Sequence, residues 1–355
     1  MAPVRKQPMR SQSKTILRTI RHGQKTRPII AALKAGADNA TEGPWLLSVG
    51  TILNNSWQVR NALAHGSFGQ VFVGVNLFTG CKVAIKAEPS TSSAFTLRTE
   101  VLILQKLKGK PHMPEYYGYG CTASVFYVVM QLLGRNLSEL KKTTSLDMFS
   151  AATTFRLGMQ MLESIEQLHD IGYLHRDIKP GNFVIGKRAN GQHKVVYLID
   201  FGLARQYVDP VTGSIKPPRT NCGFRGTMRY ASVNSHKGRD LCRADDLWSL
   251  FYSMLEMIRG QLPWRKIHDR QALLVAKQET DFYSILEAYP PELHRMFNHL
   301  HSLNYYCRPN YSMLSKAFRA RLASYKVRDS TPFEWEHPDV DEDEIMSLTD
   351  NNGDC

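Results

Sequence analysis

The stretch Tyr173-Leu174-His175-Arg176-Asp177-Ile178-Lys179-Pro180-Gly181-Asn182-Phe183 carries the pattern H-R-D-x-K-P-x-N. Asp177 can accept the proton of a hydroxyl group. Asn182, five positions on, can ligate a metal ion, and Lys179, two after the acid, can pair with a phosphate. On the N-terminal side, residues 154–171 repeat apolar side chains at helical spacing. On the C-terminal side, Val195-Val196-Tyr197-Leu198-Ile199 reads as an apolar strand, with Asn190-Gly191 as a hairpin turn between short strands. Asp200-Phe201-Gly202 follows that strand directly.

Further outward the two halves of the chain differ in period. Ordered structure is expected to begin near residues 45–57. Val59, Leu63, Val71, Phe72, Val73 and residues 83–85 fall in short strand-like runs, with Phe78-Thr79-Gly80 as a turn between two of them. Residues 94–107 switch to a helical pattern with Leu97, Val101, Leu104 and Leu107 on one side, and 126–130 form another apolar strand. From Asp245 onward helices dominate, around 247–259 and again toward 318–325. A strand-rich first part and a helix-rich second part give an α+β, bilobal expectation with a cleft between the lobes. No internal repeat is found.

The bulk composition agrees with one such domain plus tails. The chain has 355 residues, of which 43% are hydrophobic. No apolar run of about 18 residues is present, so no membrane span is expected. The N-terminus lacks the apolar core of a secretory signal. Six cysteines are scattered without a C-x-x-C pair. Structural zinc or a disulfide framework is not expected, and a cytoplasmic setting, extending to the nucleus, is. Residues 1–41 carry nine Lys or Arg against one Asp, while 337–355 carry seven Asp or Glu and no Lys or Arg. These nearly cancel, so most of the net charge of +13 sits on the body between them. A basic body suits acidic or phosphorylated protein substrates, and equally an ordinary solvated surface. Residues 1–43 read as a flexible basic extension, in which Ile16, Leu17 and Ile20 with Arg18 and Arg21 fit one short amphipathic helix. No aromatic is interleaved there for base stacking, and nucleic acid is not an expected partner. Residues 337–355 read as a flexible acidic tail, and the protein is expected to be a monomer.

Three more segments complete a chemical set. Ala64-His65-Gly66-Ser67-Phe68-Gly69-Gln70-Val71 matches G-x-G-x-x-G-x-V at every fixed position except the first. Glycines there let backbone N–H groups approach phosphates. Val83-Ala84-Ile85-Lys86 places a lysine on a strand, and Glu100 on the next helix is the best-placed carboxylate to hold it. Asp200 heads a D-F-G tripeptide. Each alone is ordinary: two glycines in a hairpin, a strand lysine, a helix-surface acid. In this order, around H-R-D-x-K-P-x-N, they resemble protein kinases. Lys179 is the form found with serine and threonine acceptors. The resemblance implies ATP as co-substrate and Mg2+ as cofactor. It makes Asp177, Lys179, Lys86 and Glu100 the catalytic set and Asn182 and Asp200 the metal ligands. Phe201 should pack under the helix of Glu100, with His175 and Arg176 bracing the loop. A kinase-shaped scaffold binding partners through its basic surface is the alternative, for which the substitution at Ala64 speaks.

From about residue 57 to 335 the chain resembles the casein kinase I group more narrowly, and within it the tau-tubulin kinase family. Gln131-Leu132-Leu133-Gly134-Arg135-Asn136-Leu137 resembles that family's hinge. Phe224-Arg225-Gly226-Thr227-Met228-Arg229-Tyr230-Ala231-Ser232-Val233-Asn234 resembles its activation-segment end, with S-V-N where most kinases have A-P-E. Asp245-Asp246-Leu247-Trp248-Ser249-Leu250, residues 260–267 and Thr331-Pro332-Phe333-Glu334-Trp335 resemble later segments. This resemblance implies a kinase domain over 44–336, with an N-lobe at about 51–130, a hinge at 131–135 and a C-lobe at 136–336. It makes Met130 the gatekeeper and gives adenine the backbone of Gln131 and Leu133, between Ala84 and Val184. Leu63, Ala64, His65, Gly66, Ser67, Phe68, Gly69, Gln70 and Val71 would close over the phosphates. Asp246 would support the catalytic loop. Arg229 would either meet an anion on the substrate or brace the activation segment through a buried pair. Protein substrates would be acidic, phospho-primed or microtubule-associated. Thr212, Ser214 and Thr220 are not expected to be regulatory sites.

Overall fold

The computed structural model describes residues 45–66, 69–92 and 96–336. The basic extension, the acidic tail, Ser67, Phe68 and the expected helix start at Ala94 lie outside the described residues. The first part is a sheet of Ile52–Leu53 (β1), Trp57–Gly66 (β2), Gly69–Asn76 (β3), Lys82–Pro89 (β4), Tyr116–Cys121 (β5) and Val125–Gln131 (β6), crossed by helix Thr96–Lys106 (α1). Its order is β1-β2-β3-β4-β6-β5, with antiparallel neighbours throughout. The turn at 77–80 forms because Asn76 Oδ1 accepts from the N–H groups of Phe78 and Thr79, and Gly80 supplies a φ of +71°.

The period-2 alternation of β4 separates two cores. Val83 and Ile85 join Leu47, Val59, Phe72 and Val129 on one face. Ala84 lies with Val128, Met130 and the Leu97, Val101 and Leu104 stripe of α1, in a cluster continuous with the helical lobe. Lys86 and Glu88 follow Ala84 at the same alternation, so two charged side chains enter the α1 side of the sheet, and both are buried.

The second part contains Leu137–Thr143 (α2), Ala151–Asp170 (α3), Tyr173–Leu174 (β7), Phe183–Ile185 (β8), Val196–Leu198 (β9), Arg205–Gln206 (β10), Val233–His236 (α4), Arg243–Arg259 (α5), Arg270–Glu279 (α6), Phe282–Leu286 (α7), Pro291–His301 (α8) and Tyr311–Ser324 (α9). Helix α3 packs against α5 and α9. Beside it, Trp248, Phe251, Tyr252, Trp264, Phe282 and Phe297 form an aromatic cluster. The described chain closes where Phe333 and Trp335 stack at 4.5 Å, Trp335 against Phe149 and Phe333 beneath the Arg156 guanidinium.

One expectation needs correcting. Strands β8 and β9 do pair as a hairpin, but Asn190-Gly191 is not a two-residue turn. Asn190 ends a 3-10 turn, Arg188–Asn190, and Gly191 turns left-handed at φ 68°, inside a longer connection. That connection folds back over Gly186, where a Cβ would lie 2.5 Å from the Cβ of Gln192. Among the described residues no helix is long and apolar enough to cross a membrane, and Cys81, Cys121, Cys222, Cys242 and Cys307 are free thiols.

Candidate active site

Residues 175–179 leave β7 as a loop whose backbone Arg176 takes at φ 67°, a left-handed conformation costing about 1–2 kcal/mol. The loop is held from below by Asp246, in the first turn of α5. One carboxylate oxygen accepts from the His175 N–H and the other from the Arg176 N–H, each at 2.8 Å. His169 Nε2–H donates to the same group at 2.9 Å, and its Nδ1 accepts from the Tyr311 hydroxyl at 2.6 Å. Burial pushes the His169 imidazole down, so it is neutral. Burial works to raise the Asp246 carboxyl, but the hydrogen bonds it accepts, from His169 first and from the loop N–H groups, outweigh it, and the group is held below the ordinary range. His175 Nε2–H donates to the Ile199 carbonyl at 3.1 Å and Arg176 Nε–H to that of Leu203 at 2.7 Å. Both residues brace the loop, as the sequence implies.

The Asp177 carboxylate is thereby fixed among donors. Lys179 Nζ donates to Oδ2 at 2.7 Å and the Thr227 hydroxyl to Oδ1 at 2.8 Å, while Lys179 also reaches Thr227 Oγ1 at 3.0 Å. Asn182 Nδ2 donates to the Asp177 carbonyl at 2.9 Å. Gly226 makes this closure sterically possible. Its φ is +97°, and a Cβ there would sit 2.6 Å from the Arg176 carbonyl oxygen.

A second charged group faces this one. Lys86 Nζ lies 2.6 Å from Glu100 and 2.9 Å from Asp200. Helix α1 is delivered to β4 by Glu88, which accepts from the Thr96 hydroxyl at 2.8 Å and the Leu97 N–H at 3.3 Å at the helix start. Burial disfavours the Lys86 charge, but Glu100 and Asp200 outweigh it and raise its pKa. Burial likewise works against the Asp200 carboxylate, and Lys86 reverses the effect, so Asp200 is held ionised. Asp200 itself is left-handed at φ 66°, and the turn after it buries Phe201 fully, packed against α1 and 5.5 Å from the His175 ring. The Ile199 N–H donates to the Asn182 carbonyl at 3.0 Å, which sets the two expected metal ligands at one end of the β8–β9 pair, Asn182 just before β8 and Asp200 just after β9. Their donor atoms suit a hard cation: Asp200 offers carboxylate oxygens, and Asn182, with its Nδ2 engaged, offers Oδ1.

Around the cleft, β2 and β3 pair Ala64 with Val71, His65 with Gln70 and Gly66 with Gly69. Ala64 is extended rather than left-handed, so its methyl group adds no backbone strain. Gly69 is the demanding position, with φ +132° and an Ala87 carbonyl 2.5 Å from where a Cβ would be. Leu63 is half-exposed beside them. The buried Gln70 side chain accepts from the Leu46 N–H at 2.6 Å. Ala84 pairs directly with Met130, and both are buried. The segment after Gln131 is tied to β8 by Gly134 N–H to Ile185 O and Ile185 N–H to Arg135 O, and the buried Val184 bridges to Asn136 there. Gln131 Nε2 donates to Gln192 Oε1 at 2.7 Å.

At Arg229 the bracing contact is formed, on a side chain that is not buried. One guanidinium nitrogen is 3.5 Å from Glu256, while the side chain stays 38% exposed. Thr227, Gly226 and Glu88 carry no sequence-assigned role. Thr227 and Gly226 stand inside a quoted motif, but their meeting with Asp177 and Arg176 depends on the path of the chain across the C-lobe. Glu88 reads as the polar end of a strand and gives no local signal.

Residues 57–323 match the family model for the protein kinase domain. A probable serine/threonine-protein kinase of Dictyostelium discoideum is 42% identical over 289 residues, which are 81% of this chain and 58% of that protein. Casein kinase I homolog 3 of Schizosaccharomyces pombe is 33% identical over 285 residues, 79% of this chain and 65% of that protein. The serine/threonine-protein kinase spe-6 of Caenorhabditis elegans is 32% identical over 292 residues, 80% of this chain and 76% of that protein. The first two relatives are thus spanned over less than two thirds of their length.

Proposed function

We propose that this chain, which belongs to the protein kinase domain family, is a serine/threonine protein kinase that transfers the γ-phosphate of ATP to protein hydroxyl groups. The observation that carries the reading is the Asp177 carboxylate, held between the Lys179 ammonium and the Thr227 hydroxyl. Asp177 orients the acceptor hydroxyl and takes its proton, and Lys179 faces the phosphate that this hydroxyl attacks. Lys86, fixed by Glu100, neutralises charge on the α- and β-phosphates. Asp200 and Asn182 would hold Mg2+, which supplies charge neutralisation between the β- and γ-phosphates when bound. Gln131 and Leu133 would present backbone groups to adenine between Ala84 and Val184, with Met130 behind it. The β2–β3 hairpin would cover the phosphates.

The finer reading is a kinase of the tau-tubulin type acting on acidic or phospho-primed proteins, microtubule-associated ones among them. It rests on the matching hinge and S-V-N segments, on the basic body and on the partly exposed Arg229. The decisive measurement is casein phosphorylation and autophosphorylation by the purified chain with ATP and Mg2+, beside Asp177→Asn. The variant should lose roughly a thousandfold in rate. Equal signal from both proteins removes the enzyme and leaves the scaffold reading. In parallel, Arg229→Ala should weaken preference for phospho-primed over unprimed peptides by about tenfold. An unchanged preference would take Arg229 out of substrate recognition.

A further inference from the structure

Lys277, on α6, is buried at 3% exposure, yet among the described residues no carboxylate is bonded to its amine. Its Nζ donates to the carbonyls of Met228 at 2.8 Å and Ala231 at 2.6 Å, and lies 3.2 Å from His236 Nε2. The rings of Tyr252 and Trp264 wall it in, each 5.1 Å from the nitrogen. The protonation pattern follows from the partners. His236 Nε2 also approaches the Met228 carbonyl at 3.1 Å, and its buried Nδ1 has no partner among the described residues. A buried N–H without an acceptor is the costlier orphan, which places the hydrogen on Nε2. Nε2–H then points at the Met228 oxygen and at the Lys277 nitrogen. Lys277 is satisfied as a neutral amine, donating twice and accepting once, and burial without a counter-charge agrees with this, since it pushes the amine down to about 6.

The two carbonyls bound by Lys277 are the ends of one arch. Within it, Tyr230 N–H and Ala231 N–H both donate to the Thr227 carbonyl. Trp264 Nε1–H donates to the Arg229 carbonyl at 2.8 Å, and Tyr230 and Arg229 both meet Glu256. Immediately before the arch Thr227 touches Asp177, and at its crest Arg229 turns partly outward. We infer that Lys277 is a positioning residue for substrate binding: through the Met228 and Ala231 carbonyls it fixes the arch that presents Thr227 to the catalytic carboxylate and Arg229 to the incoming peptide. The inference rests on the kinase reading of the site. Just past the arch, Ser232 and Asn234 of the S-V-N segment both donate to Asp245 at the start of α5.

The test compares the full chain with Lys277→Met, which keeps the apolar stem and removes the donors, and with Lys277→Arg. Three quantities are measured: KM for a phosphoserine-primed peptide, KM for ATP, and hydrogen exchange across residues 227–231. In Lys277→Met the peptide KM should rise about tenfold with the ATP KM within twofold. Exchange of the Tyr230 and Ala231 amides should quicken at least tenfold while β4 and α5 keep their protection. Should Lys277→Met show no cooperative melting transition, Lys277→Arg is judged by the same split. Unmoved peptide KM and exchange in a folded variant overturn the assignment, as does loss confined to the fraction of folded protein with both KM values unchanged. A wild-type chain without activity removes the kinase reading, while exchange alone still decides whether Lys277 holds the arch.

Discussion

At the scale of single residues, the site is built from groups that are costly where they stand. Asp200 and Arg176 are left-handed, Gly226 tolerates no side chain, and Lys86, Glu100 and Asp246 are charged groups in the core. Each is tolerated because its partners are already in place. Thr227 is the least demanding member and the most informative to change. Its hydroxyl donates to Asp177 and receives Lys179, so removing it frees both. Thr227→Ala should lower kcat by about tenfold, the worth of one charge-assisted hydrogen bond, and Thr227→Ser should restore most of it. Steady-state kinetics on the two variants checks this, and full activity in Thr227→Ala would show that Lys179 alone suffices. Much of this level was readable beforehand. Lys86, Glu100, Asp177, Lys179, Asn182 and Asp200 stand in short motifs with fixed spacing, and their contacts follow the order those motifs imply. Thr227 was not readable as a partner, because 50 residues separate it from Asp177 and only the return of the chain joins them.

At the scale of elements, the catalytic loop is an irregular segment pinned by regular ones. Helix α5 begins at Arg243 and turns Asp246 inward, where it satisfies two loop amides that have no strand to pair with. His169 from α3 and Tyr311 from α9 complete that anchor, so three helices converge on one carboxylate. Asp246→Asn removes the charge and presents an amide to groups that need acceptors. It should cost about 3 kcal/mol of stability by the penalty for breaking a buried charged network. Chemical denaturation with and without His169→Ala would check the coupling: the double variant should lose less than the sum of the singles. Helix α1 shows the same logic, since its stripe of Leu97, Val101 and Leu104 was visible in the sequence, while its docking onto Glu88 was not. The turn at 190–191 shows the limit of local rules. Asn-Gly favours a tight hairpin, but here it lies inside a longer connection, whose Gln192 sits over Gly186 and accepts from Gln131.

At the scale of the whole molecule, pH offers a readout. The Lys277 amine is lowered from 10.5 to about 6 by burial. Between those values the unfolded chain binds a proton that the folded chain does not, so stability rises with pH there, by up to about 1.4 kcal/mol per unit. The destabilisation is complete below about pH 6 and fades as pH approaches 10.5. The neighbouring His236, lowered to about 4 by burial and by Lys277, adds no slope in the alkaline part of this window. The difference in unfolding free energy between wild type and Lys277→Met should therefore shift in favour of wild type from pH 7 to pH 9. Urea titrations at the two pH values measure it, and a flat difference would mean that the amine is charged in the folded protein.

The amino-acid sequence by itself determined the two-lobed α+β order, the nucleotide-side motifs and the acid at Asp177. Period and spacing are local properties, and these elements need only local information to be recognised. The tertiary structure decided which buried groups hold those motifs in register: Asp246 under the loop, Thr227 against Asp177, Gln192 behind the hinge and Lys277 inside the arch. Each of these contacts joins residues 46 to 71 positions apart in sequence. A polar group buried by folding must find its partner wherever the packed chain brings one, and no spacing rule along the sequence encodes that.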